Sequence, residues 1–179
     1  MSKNLSIFRQ EYLDANTWPQ RKDGVPLELL DNLDPDELIV AEQELIAAAG
    51  LDDDWPIIGL GHIRSQKSLP MLYELLEKAT GSYKVIIAHS IFQICSDTAM
   101  IGITLDELAS ARKWGRKRWS EYELINILYL LPDFQSAEIN KRLVHYMEGR
   151  YYLTAYNAAR ALGLPTEPIV EKFQKKWYR

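Results

Sequence analysis

The chain of 179 residues reads as an all-α protein, a right-handed α-solenoid of about four helical hairpins with a helical cap at each end. Four apolar helical runs carry that reading: WPIIGLGHI ending at Ile63, VIIAHSIFQI at Ile94, YELINILYLL at Leu131 and LTAYNAARAL at Leu162, at intervals of 31, 37 and 31 residues. A period in this range marks stacked supersecondary units, none of which buries its apolar face alone. Each run also follows another helical run across a polar joint, which makes the unit a hairpin. The balance of 47% hydrophobic and 26% charged residues is globular and excludes wholesale disorder.

Residues 1–33 stand outside the repeat and form an N-terminal cap segment, and 34–179 form the repeat domain, the whole being one folding unit. In the cap, Leu5, Phe8 and Tyr12 fall at helical spacing. The stretch from Asn16 to Pro26 reads as a loop, because Trp18-Pro19 and Asp23-Gly24 interrupt any ladder.

The first outer helix opens at Asp34-Pro35-Asp36-Glu37, with a side-chain acceptor at the N-cap, proline at the first helical position and acids in the first turn. Leu38, Leu45 and Ile46 line it, and Gly50 is placed to end it in the left-handed conformation. Asp52 to Asp54 are expected in the first turn of the inner helix that runs through Ile63, with Pro56 tolerated near its start.

The second hairpin runs through Leu69, Leu72, Leu75 and Leu76, turns at Gly81-Ser82 and returns through Val85, Ala88, Ile91 and Phe92. In the third, Ile101, Leu105 and Leu108 mark the outer helix, and the six extra residues of the longer interval fall within ASARKWGRKRWSEY before the inner helix. The fourth uses Ile139, Leu143 and Tyr146, then Leu153, Tyr156 and Ala159 to Leu162, and stops at Gly163 and Pro165. A last helix from Thr166 to Trp177, with Lys175 and Lys176 near its end, closes the stack.

The net charge of −4 is uneven: −1 over residues 1–33, −7 over 34–64, −2 over 65–110 and +6 over 111–179. Sequence order approximates spatial order in a solenoid, so an acidic first repeat and a basic far end are expected, and the acidic patch Asp52, Asp53 and Asp54 suits a basic partner. The other reading of these charges is a set of solvated helix faces. No apolar run reaches the length of a membrane span and the first ten residues lack a signal pattern, so no membrane role and a cytoplasmic setting are expected. The single cysteine, Cys95, cannot form an internal disulfide and reads as a small buried hydrophobe at a helix end.

His62, His89 and His145 are too far apart for a zinc helix, no carboxylate partner for the first two is evident, and no phosphate loop or nucleophile elbow occurs. No metal, no cofactor and no catalytic residue are therefore expected, and Gly59 and Gly61 are read as points of close helix packing. At GLGHIRSQKSLPMLYELLEKA, from Gly59 to Ala79, an apolar helix end, a polar joint, the pair Leu69-Pro70 and a leucine-rich run together resemble a HEAT repeat. The pattern recurs partially in HSIFQICSDTAMIGITLDEL and AARALGLPTEPIVEKF. The resemblance implies that the second helix of each hairpin lines a concave binding side. Its polar and aromatic residues there are His62, His89, Gln93, Tyr122, Asn126, Tyr129, Tyr152, Tyr156, Asn157 and Arg160. Large amphipathic side chains on a rigid face anchor a protein or peptide, and the same tyrosines can equally serve packing between helices.

Arg112, Lys113, Trp114, Arg116, Lys117, Arg118 and Trp119 make the longest joint basic and aromatic. Cations neutralise phosphates and indoles stack on bases, so this segment has a nucleic-acid reading beside a structural one in which Trp114 and Trp119 anchor the insertion. The resemblance adds a precedent, the HEAT-like alkylpurine DNA glycosylases, with Asp133 as the acid that would fill their catalytic role. The net acidity of the chain opposes wrapping a polyanion. The expected function is a non-catalytic scaffold for a protein or peptide partner, a basic one by the charge of the first repeat, of the adaptor or immunity-protein kind. The alternatives are a nucleic-acid binder or glycosylase-like enzyme, and a structural homo-oligomer.

Overall fold

A computed structural model describes the backbone of residues 2–110, 112–113, 116–117 and 119–177, with side chains for 2–110 and 119–174. The chain is all-helical apart from one short hairpin, and it divides into two compact units: Met1–Ala79 with Ser90–Asp97, and Thr80–His89 with Thr98–Arg179.

In the first unit α1 (Lys3–Phe8) continues as a wider π-turn, Arg9–Leu13, followed by α2 (Trp18–Arg21) and α3 (Glu28–Asp31). The segment from Asn16 to Pro26 is therefore not all loop. Thr17 and Gln20 form a capping box, and Pro19 sits in the first turn where its missing N–H is not needed. Next comes α4 (Pro35–Ala48), whose N-cap Asp34 accepts from Glu37 N while the Glu37 side chain returns to Asp34 N. This helix ends through an extended Ala49, and Gly50 is not left-handed. Then α5 (Trp55–His62) starts after Asp52–Asp54, so these acids precede the helix and none lies in its first turn.

A 3-10 turn, Gln66–Ser68, leads into α6 (Leu69–Lys78). After Gly81, whose φ of 67° would strain a residue bearing a side chain, comes α7 (Ser82–Cys95). Its residues to His89 belong to the second unit, and from Ser90 onward to the first. The first core gathers Leu5, Phe8, Tyr12, Leu30, Leu45, Trp55 and Leu60. Leu45 and Leu60 are fully buried, and each such side chain contributes about 1.5–3 kcal/mol relative to exposure. Close approach depends on two glycines of α5. A Cβ at Gly59 would lie 2.6 Å from the Tyr12 hydroxyl, and one at Gly61 would lie 2.9 Å from Ser90 Cα.

The second unit continues with α8 (Ala99–Ser110), then a two-stranded antiparallel hairpin of β1 (Arg112–Lys113) and β2 (Arg116–Lys117), paired Arg112 with Lys117 and Lys113 with Arg116. The basic joint thus holds a short hairpin between two helices. After it come α9 (Glu121–Leu128), capped by Ser120 and Glu123, and a 3-10 turn, Leu131–Phe134. The unit ends with α10 (Ala137–Met147), α11 (Tyr152–Ala161) and α12 (Glu167–Trp177). Ile139, Leu143 and Tyr146 are the buried stripe of α10, as their spacing required. α11 packs on α9, α10 and α12, and its buried alanines at 155, 158 and 159 keep those neighbours close. Ala155, Ala159, Ile169 and Phe173 form the core under α12, and Gly163, at φ 66°, turns the chain toward it.

Candidate partner-binding surfaces

The first unit holds sixteen Asp and Glu against seven Lys and Arg, a net charge of −9. Part of this acidity is structural. Arg21 grips Asp53 through both carboxylate oxygens at 2.6 and 2.7 Å, donates from Nε to Ala15 O, and lies 4.4 Å over the Trp55 ring. Asp53 also accepts from Trp55 N. Burial, with Asp53 alongside, raises the Asp54 carboxyl above its ordinary value. Of the sequence-derived acidic patch, only Asp52 is exposed: Asp53 fastens Arg21, and with it residues 1–33, beside α5, and Asp54 is half-buried. Tyr12 completes this fastening by donating to Trp55 O at 2.7 Å, and burial pushes its phenol pKa up.

The outward acidity lies elsewhere. An open groove of about 480 Å³ is bordered by Glu11, Asp23 and Glu28, with Gln10 and Gln20 beside them. None of the three carboxylates is in an ion pair among the described residues. Trp18, on the same short helix as Gln20, is 78% exposed.

Both histidines lacking an evident partner in the sequence have one in space. His62 Nε2 is 2.7 Å from Asp31 Oδ1, and His89 Nε2 is 2.8 Å from Asp133 Oδ2. These carboxylates lie 31 and 44 residues away and become neighbours only through folding. His89 is buried against the edge of Phe134, with Nδ1 unpartnered, while the Asp133 side chain is 51% exposed. That order is the reverse of a general base, since the imidazole is shut away and fixes a carboxylate facing solvent. Cys95, read as buried, is exposed at the end of α7, where its thiol donates to Ile91 O at 3.3 Å. Sequence reasoning did not single out Tyr73, which donates to Asp97 at 2.7 Å, a bond that raises the phenol pKa.

The second unit gathers most of the concave-face candidates. Tyr122, Asn126 and Tyr129 follow one exposed face of α9 and its end, and Tyr152, Tyr156, Asn157 and Arg160 follow the accessible face of the neighbouring α11. Tyr129 donates to Asn157 Oδ1 at 2.6 Å, Asn157 donates to Leu153 O, and Arg160 lies 6.0 Å over the Tyr129 ring. Thr154 ties the two helices again through Glu121 at 3.1 Å. Tyr152 is edge-on to Phe173 and near Tyr156, so it packs as well as faces outward, whereas Tyr122 is 78% exposed. His62 and Gln93 fall in the first unit, and Gln93 closes over Gly61.

Of the basic segment, Arg112, Lys113, Arg116 and Lys117 are placed by their strand backbones, and Trp114 and Arg118 lie outside the described residues. Trp119 is buried with its indole nitrogen 3.1 Å from where a Gly81 Cβ would stand, so this tryptophan anchors the hairpin's end. Among the described residues no three metal-ligating side chains converge, and no helix is long and apolar enough to cross a membrane. Fold and surfaces together define, among the described residues, a helical protein with a tied-down aromatic face. Comparison with family models, curated proteins and solved structures finds no match.

Proposed function

We propose that the hairpins stack as a right-handed HEAT-like solenoid acting as a cytoplasmic, non-catalytic scaffold, whose acidic first unit takes a basic protein partner. The groove bordered by Glu11, Asp23 and Glu28 carries this reading, because three carboxylates without internal cations meet at one opening. Charged surfaces of this kind set on-rate and selectivity, and aromatic side chains held in place, such as Tyr129 on Asn157, supply anchoring at small entropic cost. The test is affinity capture from nuclease-treated native lysate with elution along a salt gradient, in parallel with an E11K/D23K/E28K variant. A basic protein retained by the wild type and lost by the variant is the expected result. Retention unaffected by the charge reversal, or a captured species that disappears with nuclease, would overturn it. The second outcome would move Asp133 and the basic hairpin to the centre.

A further inference from the structure

A second groove, of about 500 Å³, opens between α8 and α10 in the second unit. Lys141, Arg142 and His145 stand along its α10 side, and Leu105 and Ala109 supply apolar surface from α8. The same α8 runs directly into the basic hairpin, since Ala109 is three residues before Arg112, so the strands bearing Arg112, Lys113, Arg116 and Lys117 begin at the end of that groove wall. Neither Lys141 nor Arg142 is in an ion pair among the described residues. Two carboxylates also border the opening, Asp106 and Glu138. Glu138 is held by its own N–H and by Ser136 at 2.9 Å, which keep its carboxyl below the ordinary range. The second unit as a whole holds fourteen Lys and Arg against nine Asp and Glu, a net +5.

We infer that this groove docks the acidic first unit of a second copy of the same chain, giving a head-to-tail, salt-sensitive self-association. Two observations select this occupant. The chain itself supplies a surface of opposite sign, net −9 with a groove carrying Glu11, Asp23 and Glu28, at the same concentration as the basic groove. A phosphate backbone, in contrast, would meet Asp106 and Glu138 and leave Leu105 and Ala109 without a role, whereas a protein surface pairs with both signs and covers apolar atoms. The contact joins unlike surfaces, so it is heterologous: an open assembly keeps one free groove of each kind, and a ring that closes keeps none. A basic partner occupying the acidic groove would compete with it, although the self-association does not depend on that partner existing.

Sedimentation velocity on the full chain tests the inference. The wild type is expected to form a concentration-dependent series at about 0.1 M salt. Its association should weaken by at least about tenfold at about 1 M, where the screening length falls from about 10 Å to about 3 Å. Variant E11K/D23K/E28K and variant R112E/K113E/K141E/R142E should each be monomeric with wild-type helix content. Mixed together they should pair one to one, because each keeps the groove that the other lost. Pairing in the mixture shows that both variants are folded, and far-ultraviolet circular dichroism settles the same point if they do not pair. A wild type that stays monomeric at low salt, a single variant that still self-associates, or folded variants that do not pair would each overturn the inference. A monomeric wild type that binds a single-stranded oligonucleotide, and loses it in K141E/R142E, would instead assign the groove to phosphates.

Discussion

In the first unit Arg9, Arg21 and Lys67 are each engaged by a carboxylate of that unit, whereas Lys84, Lys141 and Arg142 in the second carry no ion pair among the described residues. The second unit instead joins its helices through neutral or singly charged hydrogen bonds, Tyr129 to Asn157, Thr154 to Glu121 and Tyr146 to Leu108 O. The net charge of each unit therefore has a different origin. In the first, carboxylates outnumber cations sixteen to seven, and Arg9 and Arg21 are engaged in securing residues 1–33. In the second, the cations are left over because apolar stripes and alanine-lined contacts already hold the helices.

The sharpest way to break this contrast is a pair of identical changes, one in each unit. Gly61→Ala pushes a Cβ to 2.9 Å from Ser90 Cα, a backbone atom that cannot rotate away, and the loss is expected to be about 2–3 kcal/mol even after the gain in helix propensity. Gly102→Ala in α8 meets nothing within 4 Å and should gain about 0.5–1 kcal/mol. Denaturant unfolding of both variants checks the opposite signs, and a stabilised Gly61→Ala would show that the two helices are not in the contact described.

Next in size, Arg21→Ala removes an ion pair in which one nitrogen reaches both Asp53 oxygens, a cation–π contact and a backbone hydrogen bond together. It should cost about 2 kcal/mol, while Lys141→Ala should change stability by less than about 0.5 kcal/mol. Equal effects in thermal melts would erase the distinction between fastening and free cations.

The smallest effect concerns Asp54. Its folded-state carboxyl titrates above the ordinary value of 3.8, so the folded chain binds this proton more tightly than the unfolded one. Stability from this group is present below 3.8 and is lost as pH rises through the raised folded-state value. Asp54→Asn should remove that loss and gain about 0.5 kcal/mol at neutral pH, with stability curves for the two proteins converging in acid. Curves that stay parallel from acid to neutral pH would show that burial does not disfavour the Asp54 charge.

Local signals in the sequence located most helices, since periodicity and capping act within a turn or two. Asp34-Pro35 opened α4, Gly81 preceded α7, and Gly163 followed α11, each at a position where neighbouring residues alone decide the backbone. The turn Trp18–Arg21 was hidden because Pro19 and Gly24 dominate the local reading, while the Thr17 and Gln20 capping box that offsets them is a side-chain feature. The candidate surfaces were less legible for a related reason. Asp53 looks free until Arg21, 32 residues earlier, folds back over Trp55, and the two histidine–aspartate pairs likewise join distant segments. The exposed line Tyr122, Asn126 and Tyr129 was readable because it repeats along one helix face, but its fixation by Asn157 was not. Positive charge in the joint after α8 was plain, whereas its continuation into a groove required α10 to lie alongside.

Trp18 gives this distribution of charge an optical consequence. Of the five tryptophans, Trp18 is 78% exposed within an acidic unit while Trp55 and Trp119 are 5% exposed, so in a W114F/W177F variant collisional quenchers in solution reach the first and spare the other two. A caesium ion is drawn toward the unit's net charge of −9 and an iodide ion is driven from it, so the ratio of the two quenching constants in that variant reads the potential at Trp18. Trp18 thus acts as a voltmeter two residues from Gln20 on the groove's border, and a cationic partner settling there would register as a change in emission without any label being attached.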